Sequence, residues 1–431
     1  MTLEQLLLPL LLSVLAGPAL LGLVLLTGRQ RSWIWQPRLA VVHSVLLVMA
    51  TALVVIGWCR HDGAAFEVRL APVLHLQNYH WVPMLLVDGH TVLYMVLVAL
   101  VYPVVVRFSL PSFHREPGSG RYWFLVTLLG ASLWLLCVAG NLDLLFVAWE
   151  LIGVTSVMLI GFFHRQVRAA QNSLRALVYY RIGDFLILLA AVLIHHSFPD
   201  QRFRGFASDV ATPYAFAVAL ALLGGSLAKS AQLPMSPWLH RAMEGPAASS
   251  AIFYGALSVH LGPFLLLRTA DLWMPSLGAR ALMFTIGLLT SVWATLCGRT
   301  RPDAKTALAY STMAQIGIMY AELAFGLHTL VAIHLFAHAG LRTWQFLRSS
   351  SLIQDFQDNP VFAGSITLQR RLFFEHVLPV PVQRRLYLAA VRLFWIDALQ
   401  WHLVARPFLA IFRGIARAED AILGRRPGDG R

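Results

Sequence analysis

The chain has 431 residues and a formal net charge of +13, with 58% hydrophobic and only 13% charged residues, and a mean hydropathy of +0.66. A soluble domain carries about 25% charged residues, so this apolar excess rules against a globular core and implies a polytopic, all-α membrane protein whose length counts spans. The positive charge then belongs to loops beside a lipid bilayer rather than to nucleic-acid binding, and Cys59, Cys137 and Cys297, all in apolar stretches without paired spacing, suggest neither a disulfide framework nor a metal site.

The N-terminus, Met1-Thr2-Leu3-Glu4-Gln5, lacks a basic region and runs straight into an apolar segment, so it reads as a retained first span. Eleven segments of spanning length follow one another: Leu6–Leu26, Leu39–Cys59, Met84–Phe108, Tyr122–Ala139, Leu142–Phe163, Leu174–Ile194, Pro213–Gln232, Ala247–Leu267, Leu277–Cys297, Thr306–Phe325 and Leu327–Leu347. A twelfth, Leu386–Phe412, is interrupted by Arg392, Asp397, His402 and Arg406 and reads as an amphipathic surface or partner-binding helix. The chain thus divides into a transmembrane domain, residues 1–350, and a basic C-terminal region, residues 351–431.

Basic residues collect in alternate loops: Arg29, Arg31 and Arg38; Arg107, Arg115 and Arg121; Arg165, Arg168 and Arg175; Arg299, Arg301 and Lys305. In the opposite loops Arg60 and Arg69 are offset by Asp62 and Glu67, and Arg202 and Arg204 by Asp200 and Asp209. The positive-inside rule makes the first set cytoplasmic, placing the N-terminus outside. The tail, with Arg370, Arg371, Arg384, Arg385, Arg413, Arg417, Arg425 and Arg426, is then cytoplasmic and suited to anionic lipid or an acidic partner.

Two lysines, Lys229 and Lys305, stand against thirty-two arginines. Arginine cannot be deprotonated in a protein, whereas a buried lysine can exchange its proton. Lys229 lies inside an apolar span, where a charge is costly and marks a functional site. The next residues, Gln232-Leu233-Pro234-Met235-Ser236-Pro237-Trp238, hold two prolines that break a helix. Gly245-Pro246 opens the following span, which carries Tyr254, Ser258 and His260. Broken helices beside ionisable groups are the sequence pointer to a transport site; a kink serving packing alone is the competing reading. Lys305, at a helix edge, reads as an anchor or path-mouth residue.

Other intramembrane ionisable residues extend the pattern. Glu150 lies in Phe146-Val147-Ala148-Trp149-Glu150-Leu151 and is a candidate partner for Lys229. Arg181 and Asp184 are three apart, on one helical face, and can pair with each other. His334, His338 and Arg342 recur every fourth residue and form one stripe. Histidines suit a proton relay; a metal site is the alternative, although no His-Glu-x-x-His pattern completes it.

These residues also carry a resemblance. Gly225-Ser226-Leu227-Ala228-Lys229-Ser230-Ala231-Gln232-Leu233-Pro234, Trp238-Leu239 and Ala242-Met243-Glu244-Gly245-Pro246 resemble the antiporter-like membrane subunits of respiratory complex I and Mrp antiporters. So do Trp149-Glu150, Arg181-Ile182-Gly183-Asp184, Ala309-Tyr310-Ser311-Thr312-Met313-Ala314-Gln315-Ile316-Gly317 and His334-Leu335-Phe336-Ala337-His338-Ala339. The resemblance covers Asp88 to Phe346. It implies a broken-helix fold, proton translocation by Glu150 with Lys229, modulation by Asp184, and relay roles for His334 and His338. Arg342 stands where that family usually has lysine, a departure from its proton path. Tyr254 takes a histidine's usual place, with His260 later, in wording that resembles the membrane subunit of Dab-type inorganic-carbon accumulation systems. The segment from Phe394-Trp395-Ile396-Asp397 to Arg406-Pro407-Phe408 resembles the family's C-terminal region.

The Dab-type resemblance implies an ion-conducting (H+ or Na+) energy-coupling subunit in a bacterial inner membrane. It drives carbon dioxide hydration by a large cytoplasmic, zinc-containing, β-carbonic-anhydrase-like partner. Catalysis and zinc then belong to the partner, with no cofactor in this chain. The alternatives are a proton-translocating subunit of a redox complex or cation antiporter, and a scaffold with vestigial charges.

Overall fold

The computed structural model describes residues 3–27, 34–76, 79–114, 116–195, 202–203, 214–349 and 378–400, with isolated positions at 402, 406, 410 and 414. The loop residues Arg29, Arg31, Arg115, Asp200, Arg204 and Asp209, and the tail arginines Arg370, Arg371, Arg413, Arg417, Arg425 and Arg426, lie outside the described residues. So does most of the stretch from residue 401 to 412.

In a bilayer every backbone polar group must be satisfied internally, which leaves these apolar stretches only the helix. The spans are α1 (Leu3–Leu26), α2 (Trp35–Arg60), α3 (Gly89–Ser112), α4 (Ser119–Val138), α5 (Leu142–Ile160) and α6 (Val167–His195). After them come α7 (Ala215–Lys229), a 3-10 segment (Ser236–Glu244), and a broken span composed of α8 (Ala247–Ser250), a π turn (Ala251–Ala256), a 3-10 turn (Ser258–His260) and α9 (Leu261–Arg268). The short α10 (Ala270–Trp273) leads to α11 (Leu277–Gly298), α12 (Ala304–Ala324), α13 (His328–Ser349), α14 (Val380–Val391) and α15 (Ile396–Gln400). Side-chain caps fix several starts: Asn141 accepts from Leu144 N (3.3 Å), Ser276 from Ala279 N (3.2 Å) and Asp303 from Thr306 N (2.8 Å).

Among the described residues, seven helices are long and apolar enough to cross a membrane, against eleven segments expected. The other four differ for physical reasons. The Pro213–Gln232 segment is helical only as Ala215–Lys229, and the Ala247–Leu267 segment is broken into four pieces. In α12 and α13 the polar residues of the candidate site dilute the hydropathy. The third segment starts late: Met84–Val87 is β4, paired antiparallel with β1 (Phe66–Arg69), and Asp88 caps α3. A second hairpin, β2 (Leu74–Leu76) with β3 (Tyr79–Trp81), fills the same loop. Neither was expected from hydropathy, which does not register three- and four-residue strands.

Helices α1 to α4 pack together at one end of the chain order, with α5, α6 and α7 beside them, while α11 lies along α12 and α13 crosses the π turn. Leu12, Leu20, Val45, Met49 and Leu53 of the outer helices stay exposed, as a lipid-facing belt requires. Trp134, Trp149, Trp238 and Trp273 are fully buried in the interior. The C-terminal α14 and α15 form a strap on the surface: only Ala390 of α14 is buried, and no residue of α15 is.

Candidate functional site

Helix α7 has fifteen residues, which at ~1.5 Å each is about 22 Å, short of the ~30 Å hydrocarbon core. It is therefore too short to cross the core alone, and its last residue is Lys229. Beyond it Ala231 adopts φ +51, a left-handed conformation that turns the chain out of the helix. The groups freed by the break find partners. Trp238 Nε1 donates to Ala228 O (3.0 Å), and Gln232 Nε2 donates to Ser230 O (3.0 Å) and Met313 O (3.3 Å). The second break is tied to the first: Ser230 Oγ donates to Val259 O (2.7 Å) and accepts from Gly262 N (3.1 Å). Tyr94, on α3, donates its hydroxyl to Leu257 O (2.5 Å) where the π turn ends.

Lys229 is 1% exposed. Its Nζ donates to Trp149 O (3.2 Å) and lies 4.4 Å from the Tyr180 ring centre and 5.1 Å from that of Trp149, a cation–π cage. Gly153, one turn beyond Trp149, makes the room, since a Cβ there would stand 2.8 Å from Nζ. Helices α6 and α7 approach closely because Gly183 and Gly225 face each other: a Cβ on Gly183 would meet Ala228 Cβ at 2.6 Å.

The candidate Glu150–Lys229 pair is not formed. Glu150 binds Arg181 (2.5 Å), and the same guanidinium nitrogen meets Asp184 (2.8 Å). Asp184 also accepts from Trp149 Nε1 (2.9 Å). The Arg181–Asp184 pair is thus present as the spacing indicated, and Arg181 engages both carboxylates near the lysine. Trp149 links the two sides, its carbonyl on Lys229 and its indole on Asp184.

The second cluster runs along α13. His334 Nδ1 meets Glu322 (3.0 Å) and its Nε2 meets Gln315 Oε1 (3.1 Å). His338 lies one turn deeper, with ring centres 6.1 Å apart. Arg342 Nε donates to His338 Nε2 (3.1 Å), Nη1 donates to Gln345 Oε1 (2.7 Å), and Nη2 donates to Ser311. Because a guanidinium only donates, His338 Nε2 must accept. A neutral His338 then carries its proton on Nδ1 and donates it to His260 Nε2 (2.9 Å). The tautomers of both histidines follow from Arg342. The same geometry disfavours the metal alternative, since the nitrogen of His338 that would bind a cation already faces one.

Lys229, Glu150, Asp184 and Arg181 therefore form one group, and His334, His338, Arg342 and His260 another. The tie between Ser230 and Val259 joins the two breaks that position them. Lys305 sits in the first turn of α12, and no hydrogen bond or ion pair joins it to either group. The side chain of Tyr254 lies outside the described residues. Glu322, Gln315 and Ser311 complete the second group and were not singled out from sequence. Glu322 carried the signal that found Glu150, a carboxylate within an apolar segment.

At one end of the bundle Arg268, its side chain 1% exposed, donates to Asp88 Oδ2 (2.7 Å), Thr91 Oγ1 (2.8 Å) and Cys137 O (2.8 Å). Burial alone would raise the Asp88 carboxyl, but the Arg268 guanidinium and the Thr91 N–H outweigh it and hold Asp88 below the usual carboxylate range. This brace joins α3, α4 and α9 and fixes the helix that follows the second break.

Comparison with known proteins accords with this architecture. The family described as NADH:quinone oxidoreductase/Mrp antiporter, transmembrane, matches residues 139–371. The chain is 30% identical over 326 residues to the probable inorganic carbon transporter subunit DabB1 of Halothiobacillus neapolitanus, covering 74% of this chain and 57% of that protein. It is 31% identical over 354 residues to NADH-quinone oxidoreductase subunit L of Mycobacterium tuberculosis, covering 79% and 54%. The structure of the Mrp complex from a Dietzia species superposes with a TM-score of 0.69 at 26% identity, covering 79% of this chain and 37% of that one. The chain thus spans about half the length of the curated relatives it matches.

Proposed function

The chain belongs to the NADH:quinone oxidoreductase/Mrp antiporter family of membrane subunits, and from that membership we propose that it is the ion-conducting, energy-coupling subunit of an inorganic-carbon uptake complex. The ion is a proton or sodium. The observation that carries the reading is Lys229: a buried amine at the end of a helix too short to cross the hydrocarbon core alone, beside two carboxylates that Arg181 holds. An opposite charge close by favours the charged form of an acid or base. Transfer of Glu150 or Asp184 from Arg181 to Lys229 would change the proton affinity of the amine, and its return would reverse the change. Movement of charge is then tied to the arrangement of α5, α6 and α7. Along α13, His338 cannot take a second proton at Nε2 while Arg342 donates there, so Arg342 must release it before His334, His338 and His260 pass a proton.

The inorganic-carbon assignment is supported by the likeness to DabB1 and by the Tyr254 and His260 wording. In this reading hydration of carbon dioxide belongs to a large zinc-containing, β-carbonic-anhydrase-like partner, which the basic C-terminal region meets on the cytoplasmic side of a bacterial inner membrane. The likeness to subunit L and to the Mrp complex supports a second reading, a proton-translocating subunit of a redox complex or cation antiporter. Co-purification separates them: a zinc-containing partner supports the first, and dehydrogenase or further antiporter subunits support the second.

The translocation role is tested by rescue of a carbon-requiring host. Lys229→Ala and Glu150→Gln should each abolish rescue while the protein remains in the membrane at wild-type level. Normal rescue by both variants would sink the proposal. Lys229→Arg asks whether titration matters, because full activity would show that a fixed positive charge suffices.

A further inference from the structure

Helix α11 ends on the arginine-rich face of the molecule, and the strap helix α14 lies against that end. Hydrogen bonds fasten the two. Arg301 Nη2 donates to Ala390 O (3.3 Å) and Val391 O (3.1 Å), and Trp293 Nε1 donates to Leu393 O (3.5 Å). Alongside these contacts, between the end of α11 and α14, lies a half-open groove of about 420 Å³, within the ~300–1,000 Å³ range of small-molecule sites. Leu296 of α11 and Val380, Leu386 and Tyr387 of α14 form apolar walls, and Arg299 and Arg384 supply a positive charge from each side. Among the described residues that line the groove there is no carboxylate. The positive end of the α14 dipole adds to the two guanidiniums, which together outweigh the partial negative charge at the end of α11.

We propose that this groove binds the headgroup and upper acyl chain of an anionic phospholipid. Each part of the lipid has a counterpart. Guanidiniums match phosphate oxygens in a two-pronged geometry that an ammonium cannot reproduce. The apolar walls continue from a membrane span and suit acyl chain rather than a free anion. A basic pocket between a span and an interfacial helix is the chemistry by which membrane proteins select acidic headgroups. The bound lipid would also cement the strap to α11, filling the groove alongside the direct contacts.

The test uses the purified full chain in mild detergent, measuring retained lipid by native mass spectrometry and the shift in melting temperature on adding lipid. Phosphatidylglycerol should be retained about tenfold better than phosphatidylcholine, the order expected for charge-assisted hydrogen bonds to phosphate, and should raise the melting temperature. Inorganic phosphate should not raise it. Arg299→Gln/Arg384→Gln should remove the preference. Arg60→Gln/Arg69→Gln, which takes the same charge from the opposite face, should keep it. Val380→Trp leaves both arginines in place on an exposed position and should reduce retention by filling the apolar wall. Equal retention of the two lipids, equal loss in the opposite-face variant, or an equal response to inorganic phosphate would each overturn the proposal.

Discussion

Gly153 decides where the amine of Lys229 can rest. A methyl group at this position would stand 2.8 Å from Nζ, and the clash falls on the far end of a flexible side chain rather than on backbone. Gly153→Ala should therefore fold and insert normally while forcing Lys229 off the Trp149 carbonyl. Its expected phenotype is loss of most of the carbon rescue at unchanged membrane abundance, approaching that of Lys229→Ala. Wild-type rescue would show that the seat on Trp149 is dispensable. At this scale the sequence was informative about identity and less so about pairing. Lys229, Glu150, Asp184 and His338 stand out because charge or titratable nitrogen in an apolar run is costly. That Arg181 would take Glu150 could not be read, because it depends on how α5 meets α6. The close approach of α6 to α7 rests on Gly183 and Gly225, and glycines in an apolar run carry no charge signal. Glu322 was legible by the same rule as Glu150 and was passed over.

At the scale of elements, the prolines after Lys229 marked the break, but the way it is held required the structure. The strap reaches it from the other end of the chain. Gln400 Nε2 donates to Pro234 O (2.5 Å), Tyr179 of α6 donates to Gln400, and Arg241 of the 3-10 segment pairs with Asp397. Between α14 and α15, Leu393, Phe394 and Trp395 all have positive φ, from 50 to 55. Left-handed backbone costs non-glycine residues ~1–2 kcal/mol each, so these contacts hold the strap in a turn that opposes it. An ion pair as open to solvent as Arg241–Asp397 contributes ~1 kcal/mol or less, and a neutral hydrogen bond about as much. Asp397→Asn alone should thus change little, whereas Asp397→Asn/Gln400→Ala should raise amide exchange in residues 378–400 about tenfold. Exchange in α5 and α11 should not change. Unaltered exchange of the strap would mean that its seam with α11 holds it unaided.

For the molecule as a whole, the composition was the most legible feature: apolar excess gave the membrane, alternating basic loops an expected orientation, and long hydrophobic runs the seven helices that, among the described residues, are long and apolar enough to cross it. The orientation can be tested without any substitution in the machinery, because the three cysteines differ in access. Cys59 is exposed, whereas Cys137 and Cys297 are buried. Cys59 lies in the last turn of α2, beside Arg60 and one span away from the Arg38 loop, and so on the face opposite the arginine-rich one. If the basic loops are cytoplasmic, a membrane-impermeant maleimide added to intact spheroplasts should label one cysteine per chain, and Cys59→Ser should remove that label. Inside-out vesicles should stay unlabelled until detergent opens them. Labelling in inside-out vesicles but not in spheroplasts would reverse the orientation. It would place the groove of Arg299 and Arg384, and the strap that bounds it, on the outer face, away from any cytoplasmic partner.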